Sequence, residues 1–183
     1  MALMGKKVSL TLFSISLLII SFFLSTKNNK NNEDVYYAQN MLAHHSQAVK
    51  IAVELYSDEL LSEYHPFMLD TILTQQTQIG AFNLILDQNN APKIITMKDM
   101  PGMIKESEIN NLKKLSKDKK LNFGIKLLIR HHLGGITMSE EFKNKKVSKE
   151  LKNIINSIIV NQSSEVEYLN NLYNKIYVGN NEK

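Results

Sequence analysis

Cysteine is absent from this chain. That excludes disulfides, thiolate zinc sites, a lipid-attachment cysteine and covalent c-type haem attachment, and leaves methionine sulfur as the soft metal ligand. Proline occurs three times, and two of the three fall in one connection, residues 89–104. No stretch alternates polar and apolar residues for long enough to argue a sheet. Acidic residues are missing before Glu33, whereas Lys6, Lys7, Lys27 and Lys30 precede it. Setting those four aside from the 22 basic residues leaves 18 against 18 acidic ones. The pI near 9.1 is therefore a property of the N-terminus, and the body lacks the basic footprint that phosphate binding needs. Nucleic acid is not an expected partner.

What is present is enough apolar material for a core, 43% of 183 residues, and one domain is the expectation at this length. Val8 to Leu24 is an uncharged run, short for a membrane span and long for the apolar part of a signal peptide. Cleavage after Ser25 would put Phe23 where a small residue is wanted, which favours an uncleaved anchor. Residues 1–30 thus read as a signal or membrane-anchor segment with a polar linker, residues 31–177 as a folded domain, and residues 178–183 as a tail. An exported or membrane-anchored domain outside the cytoplasm, on the periplasmic side, is expected.

From about Asp34, a plausible N-cap, the pattern is helical. Tyr37, Met41, His44, Ala48, Ile51 and Leu55 share one face. Further helices are predicted over 66–88, opened by Pro66, over 119–144 and over 148–177, with a short amphipathic piece in "KESEINNLKKLS". A shift of 87 residues maps His44 onto His131, His45 onto His132, Val49 onto Ile136, Gln75 onto Gln162 and Gln78 onto Glu165. The repeat unit is a helix carrying "HH", a turn, and a helix carrying "Q-x-x-[QE]-[IV]". Two such hairpins predict an all-α four-helix bundle with approximate internal twofold symmetry.

Four of the five histidines lie in those two pairs. Neighbouring helix residues point about 100° apart, so the pairs sit at or beside the inward face. Ala48 and Gly135, each four residues on, leave room for an imidazole. Gln75, Gln78, Gln162 and Glu165 interrupt apolar seams on the partner helices and are placed to orient the rings. Two readings stay open on this pattern: a metal site, since neutral imidazole is the commonest ligand, or a metal-free hydrogen-bonded layer that sets helix register. Methionine favours the first. Met97, Met100 and Met103 recur every three residues where Pro101 and Gly102 forbid a continuous helix. Thioether plus imidazole suits copper, Cu(I) or Cu(II). Met41 and Met138 are further candidates that packing also explains, and Met68 is assigned to the core. His65, before Pro66, is expected in a solvated turn.

The segments "MLAHHSQAV", "QTQIGAF", "MPGM", "LIRHHLGGITM" and "QSSEVEYL", in this order, resemble the ferritin-like domain-of-unknown-function family 305 over roughly residues 34–176. The resemblance implies a ferritin-like bundle, usually exported, similar to CopM-type copper-binding proteins. Carried over, the metal candidates are His44, His45, His131, His132, Met41, Met100, Met103 and Met138. It implies sequestration or transfer of the ion, with a metallochaperone or membrane transporter as partner. Leu128, Gln78 and Gly135 depart from the usual family residues.

An enzyme is not expected. Di-iron chemistry wants Glu-x-x-His motifs, and the residues three before the histidines are Met41, Leu42, Ser62, Leu128 and Ile129. Nothing marks a hydrolase nucleophile elbow. Non-covalent haem between Met and His is a further alternative that visible absorbance would separate from copper.

Overall fold

The structure, a computed structural model, describes residues 31–93 and 100–178. Among them are five helices and no strand. They are α1 (Asn32–Tyr56), α2 (His65–Gln88), the short α3 (Glu106–Leu112), α4 (Lys117–Phe142) and α5 (Lys149–Tyr173). A 3-10 turn, Glu59–Tyr64, joins α1 to α2, and a π turn, Asn174–Val178, follows α5. The predicted anchor and the methionine at 97 lie outside the described residues. No helix among the described residues is long and apolar enough to cross a membrane.

Local chemistry places the boundaries. Asn31 caps α1 by accepting the Glu33 N–H at 3.2 Å, and Glu33 and Asp34 complement the helix dipole in the first turn. The expectation that Asp34 is the cap is corrected. Asp34 lies within the first turn of α1, buried, and accepts the Ser148 N–H at 3.0 Å. Ser148 in turn caps α5 through the Leu151 N–H at 3.1 Å. One carboxylate thus ties the start of the first helix to the start of the last. Pro66 occupies the first turn of α2, where its missing N–H costs nothing. His65 is the first residue of α2, half-buried against Tyr56 and donating to the Asp58 carbonyl at 3.1 Å, rather than solvated in a turn.

The two hairpins, α1 with α2 and α4 with α5, hold the most extensive contacts, and α1 packs on α4 between them. The α1–α4 crossing is antiparallel. Tyr37 meets Phe142 with ring centroids 4.9 Å apart, His44 meets His131, and Leu55 lies against Gly124. The 87-residue shift sends Tyr37 to Gly124 and Leu55 to Phe142, so the first contact maps onto the third and His44–His131 maps onto itself. The histidine pair therefore sits on the pseudo-twofold axis of a duplicated bundle.

Apolar packing lies on both sides of that axis. Toward Gly124 a cluster of Leu55, Leu61, Met68, Leu112, Leu121, Ile125 and Leu128 is almost wholly buried. Toward Asp34, Tyr37 packs edge-on to Phe82 and donates to or accepts from the Ser139 hydroxyl at 2.7 Å. Each such side chain contributes about 1.5–3 kcal/mol of transfer free energy. Phe67 stacks on Tyr168 at 4.5 Å, linking α2 to α5. At the outer end Lys120 bridges Glu54 at 3.3 Å and Asp58 at 3.1 Å.

Replacing Asp34 by Ala leaves the Ser148 N–H without its partner and should lower unfolding free energy by about 1–3 kcal/mol. Gly80→Ala, on an exposed helical position with no atom near the added Cβ, should instead stabilise by up to about 1 kcal/mol. Urea unfolding of the two variants checks both signs.

Candidate metal centre

All four paired histidines have no exposed surface. They form a layer across the bundle at the level of the axis. The His44 and His131 rings stack at 3.8 Å between centroids, 19° from parallel. His45 and His132 flank them, 6.1 Å and 6.2 Å from their chain neighbours.

The partner atoms assign the protons. A carbonyl only accepts, so the His44 Nε2–H donates to Pro101 O at 3.2 Å and the His45 Nε2–H donates to Gln78 Oε1 at 2.7 Å. His132 Nε2 lies 2.8 Å from Glu165 Oε2, at ion-pair distance but not aligned as a hydrogen bond. These contacts leave the Nδ1 atoms of His44 and His45 as buried lone pairs without partners, and neither ring nitrogen of His132 has a hydrogen-bond partner. The whole amides of Gln75 and Gln162 are equally unpartnered.

His131 is different. Its Nε2 approaches the His44 carbonyl at 2.9 Å and its Nδ1 the Gly102 carbonyl at 3.2 Å. A neutral imidazole has one N–H, so the shorter contact takes the proton and the Nδ1 lone pair faces another acceptor. Protonation would satisfy both carbonyls, but burial opposes it. Burial pushes His131 down to about 3 and His45 to about 4, and burial with the neighbouring imidazoles holds His44 well below the usual 6.5.

A turn closes the layer from one side. Met100, Pro101, Gly102 and Met103 form a β-turn, with the Met103 N–H donating to Met100 O at 3.2 Å. Pro at the second position and Gly102 at φ +75° in the third are the residues a type II turn requires. Both central carbonyls reach the stacked histidines. A Cβ on Gly102 would lie 2.7 Å from Arg130 O and 2.8 Å from Gly134 Cα, and one on Gly134 would meet the Pro101 carbonyl. Gly135 admits the Gln162 amide and lies 3.2 Å, from its notional Cβ, to His44 Cε1. The pairing of small residues with imidazole space expected at this position is what the geometry shows.

The predicted residues are thus brought together unequally. His44 meets His131, His45 meets Gln78, His132 meets Glu165, and Gln162 lies beside His44. Gln75 is buried, as are Met41 and Met138, while Met100 and Met103 are half-buried at either end of the turn. Among the described residues no three His, Cys, Asp or Glu side chains gather around a common point for a metal ion.

Comparison with known proteins places the chain in a family. Residues 34–173 match the family model Domain of unknown function (DUF305). The chain belongs to that family. A DUF305 protein from Streptomyces coelicolor, assigned as secreted, is 26% identical in its crystal structure, with a TM-score of 0.69 over 76% of this chain and 90% of that one. A DUF305 fragment from Deinococcus radiodurans, 23% identical, shares the fold with a TM-score of 0.76 over 81% of this chain and all of that one. No curated protein matches.

In this DUF305 chain one residue escaped the sequence reading. Buried Gln47 pairs both ends of its amide with the backbone of one residue, donating to Ile104 O at 2.9 Å and accepting the Ile104 N–H at 2.9 Å. The 87-residue shift maps Gln47 onto Gly134. One copy clamps the connection and the other makes space for it. That mismatch, beside the matched histidine pair, was the available signal.

Gln47→Leu should leave the Ile104 N–H and C=O unsatisfied, at a cost of about 1–3 kcal/mol for each group. Amide hydrogen exchange at residues 100–104 should accelerate more than in α2. For metal-free protein the pH sign follows from depressed histidine values. The unfolded chain protonates near 6.5, the folded one lower, so stability is complete above 6.5 and falls as pH drops toward 4. Between pH 7.5 and 5 the loss is on the order of 2 kcal/mol for each of His45 and His131. A urea midpoint unchanged across that range would contradict neutral burial.

Proposed function

We propose that this DUF305 chain is a non-enzymatic, extracytoplasmic copper-binding protein of CopM type, built on a ferritin-like bundle, that sequesters the ion or passes it on. The observation that carries the reading is the pair of buried Nδ1 lone pairs on His44 and His45, each on a ring whose Nε2 is already engaged, with His132 buried beside the Glu165 carboxylate. A ligating histidine ordinarily has its other nitrogen tied to a carbonyl, amide or carboxylate, which sets the tautomer and ring orientation. Each unpartnered buried polar atom costs about 1–3 kcal/mol, and a cation-binding role gives that cost a return that a purely structural layer does not.

In this reading His44, His45, His131 and His132 supply imidazole, and Met41, Met100, Met103 and Met138 supply thioether sulfur. Gln75, Gln78, Gln162 and Glu165 orient the rings. Copper is favoured over harder ions by the cysteine-free imidazole and thioether donor set. Export is supported by the apolar segment Val8 to Leu24 and by the secreted assignment of the Streptomyces coelicolor relative. The same segment is read as the membrane anchor, and a metallochaperone or membrane transporter as the partner.

A metal-free bundle whose histidine layer sets helix register is the second reading. It is favoured by the engagement of both His131 nitrogens and by the lack, among the described residues, of a three-donor group. A Cu(I) competition titration on residues 31–183 separates the two. Binding should be detectable and fall at least about tenfold, or about 1.4 kcal/mol, when His131 and His132 are both replaced by Ala with helicity retained. Absence of binding at micromolar copper would leave the structural layer as the function of these residues.

A further inference from the structure

The outer face of α2 is built differently from its duplicate on α5. Between Asp70 and Asp87 the helix carries no charged side chain, and its exposed positions there are Leu73, Gln76, Thr77, Gly80 and Leu84. Leu69 precedes them on the same face at helical spacing. Leu69, Leu73 and Leu84 keep 40%, 51% and 48% of their surface in water. The inward face is apolar too, with Met68, Ile72, Phe82 and Leu86 buried. A helix apolar on both faces is normally covered on both. The 87-residue shift supplies an internal control. It sends Leu69 to Asn156, Gly80 to Glu167 and Leu84 to Asn171, all exposed on α5, while Leu73 keeps an apolar counterpart in Val160. The repeat thus tolerates polar residues at these places, and folding of the bundle does not call for leucine there.

We infer that this stripe is the contact between two copies of the chain, packed α2 against α2 in antiparallel register. The inference is independent of the copper reading. The pattern is self-complementary: Leu73 and Gly80 are spaced evenly about a point between residues 76 and 77, and so are Leu69 and Leu84. A twofold axis through that point sets Leu73 of each copy over Gly80 of the other and Leu69 beside Leu84, as an isologous interface requires. Gly80 is the hole for that knob, since a Cβ there would meet no neighbouring atom within 4 Å. Thr77, beside the axis, gives its hydroxyl proton to the Leu73 carbonyl of its own helix at 2.8 Å, so it requires no partner across the interface. Charge decides the register. Parallel helices would set Asp70 on Asp70 and Asp87 on Asp87, whereas antiparallel ones bring them level with Asn83 and Pro66. Charge also disfavours a lipid surface as the occupant, because α2 carries no Lys or Arg to meet anionic headgroups. Three leucines from each copy bury an area near the low end of the about 1,200 Å² that stable pairs need. The pair is therefore a weak, reversible one.

The lack of native cysteine makes the test direct. Full chains in mild detergent, carrying either Leu73→Cys or Gly80→Cys, are oxidised with diamide alone and as an equimolar mixture. In the inferred register the two positions meet, whereas each lies seven residues, about 10 Å along the helix, from its own copy, beyond the about 7 Å that a disulfide spans. The mixture should form disulfide-linked dimer and each variant alone should form little. In sedimentation, Leu73→Glu should weaken self-association at least about tenfold, with helicity and melting temperature kept. Val160→Glu, at the repeat-related place on α5, should leave association unchanged. Equal cross-linking of all three samples, or association that survives Leu73→Glu, overturns the inference. So does a wild type that stays monomeric and binds phosphatidylcholine vesicles through Leu73, which would assign the stripe to a lipid surface instead.

Discussion

The stacking of His44 on His131 is the contact on which the rest of this structure depends. It places two imidazoles at the point where α1 and α4 cross, on the axis that relates the hairpins. Putting polar rings there commits the neighbourhood to satisfying them. The Pro101 and Gly102 carbonyls and the Gln78 amide answer that demand, and the Glu165 carboxylate lies 2.8 Å from His132 Nε2. Where no answer is given, at the Nδ1 atoms of His44 and His45, both nitrogens of His132 and two glutamine amides, the interior carries a cost that packing alone does not explain.

That requirement also breaks the symmetry. A bundle made from two like hairpins has two equivalent sides, but there is one connection between them, and its Met100–Met103 turn covers one side of the axis. Gln47 binds it through Ile104, and Gly134 lets the Pro101 carbonyl approach closely. The duplicated positions have therefore diverged where they meet a single copy of something. Gln78 and Glu165 have diverged too, though both remain against a histidine, which turns a geometrically matched pair of sites into electrically unmatched ones.

Burial supplies the chemical character of the layer. Desolvation holds His44, His45 and His131 neutral over the pH range in which an exposed histidine titrates. Neutral imidazoles are the ligating form and also the form a dry helical core tolerates. Stability and the neutral state of the rings are thus served by one physical effect, and both are lost together in acid.

Much of this was determined by the sequence alone. The 3.6-residue periodicity specifies helices, and the 87-residue repeat specifies two like hairpins, because both depend on local spacing along the chain. The same spacing put His44, His131, Gln75 and Gln162 on inward faces, and small residues at 48 and 135. The tertiary structure alone decided which nitrogen each ring commits, that His44 pairs with His131 rather than with its neighbour, and that the Met-Pro-Gly-Met turn closes on the pair. It also moved Asp34 from the expected cap to a bond with Ser148 and gave Gln47 its place at Ile104. Those outcomes join residues far apart in the chain, and their energies depend on burial and angle, which one-dimensional spacing does not contain.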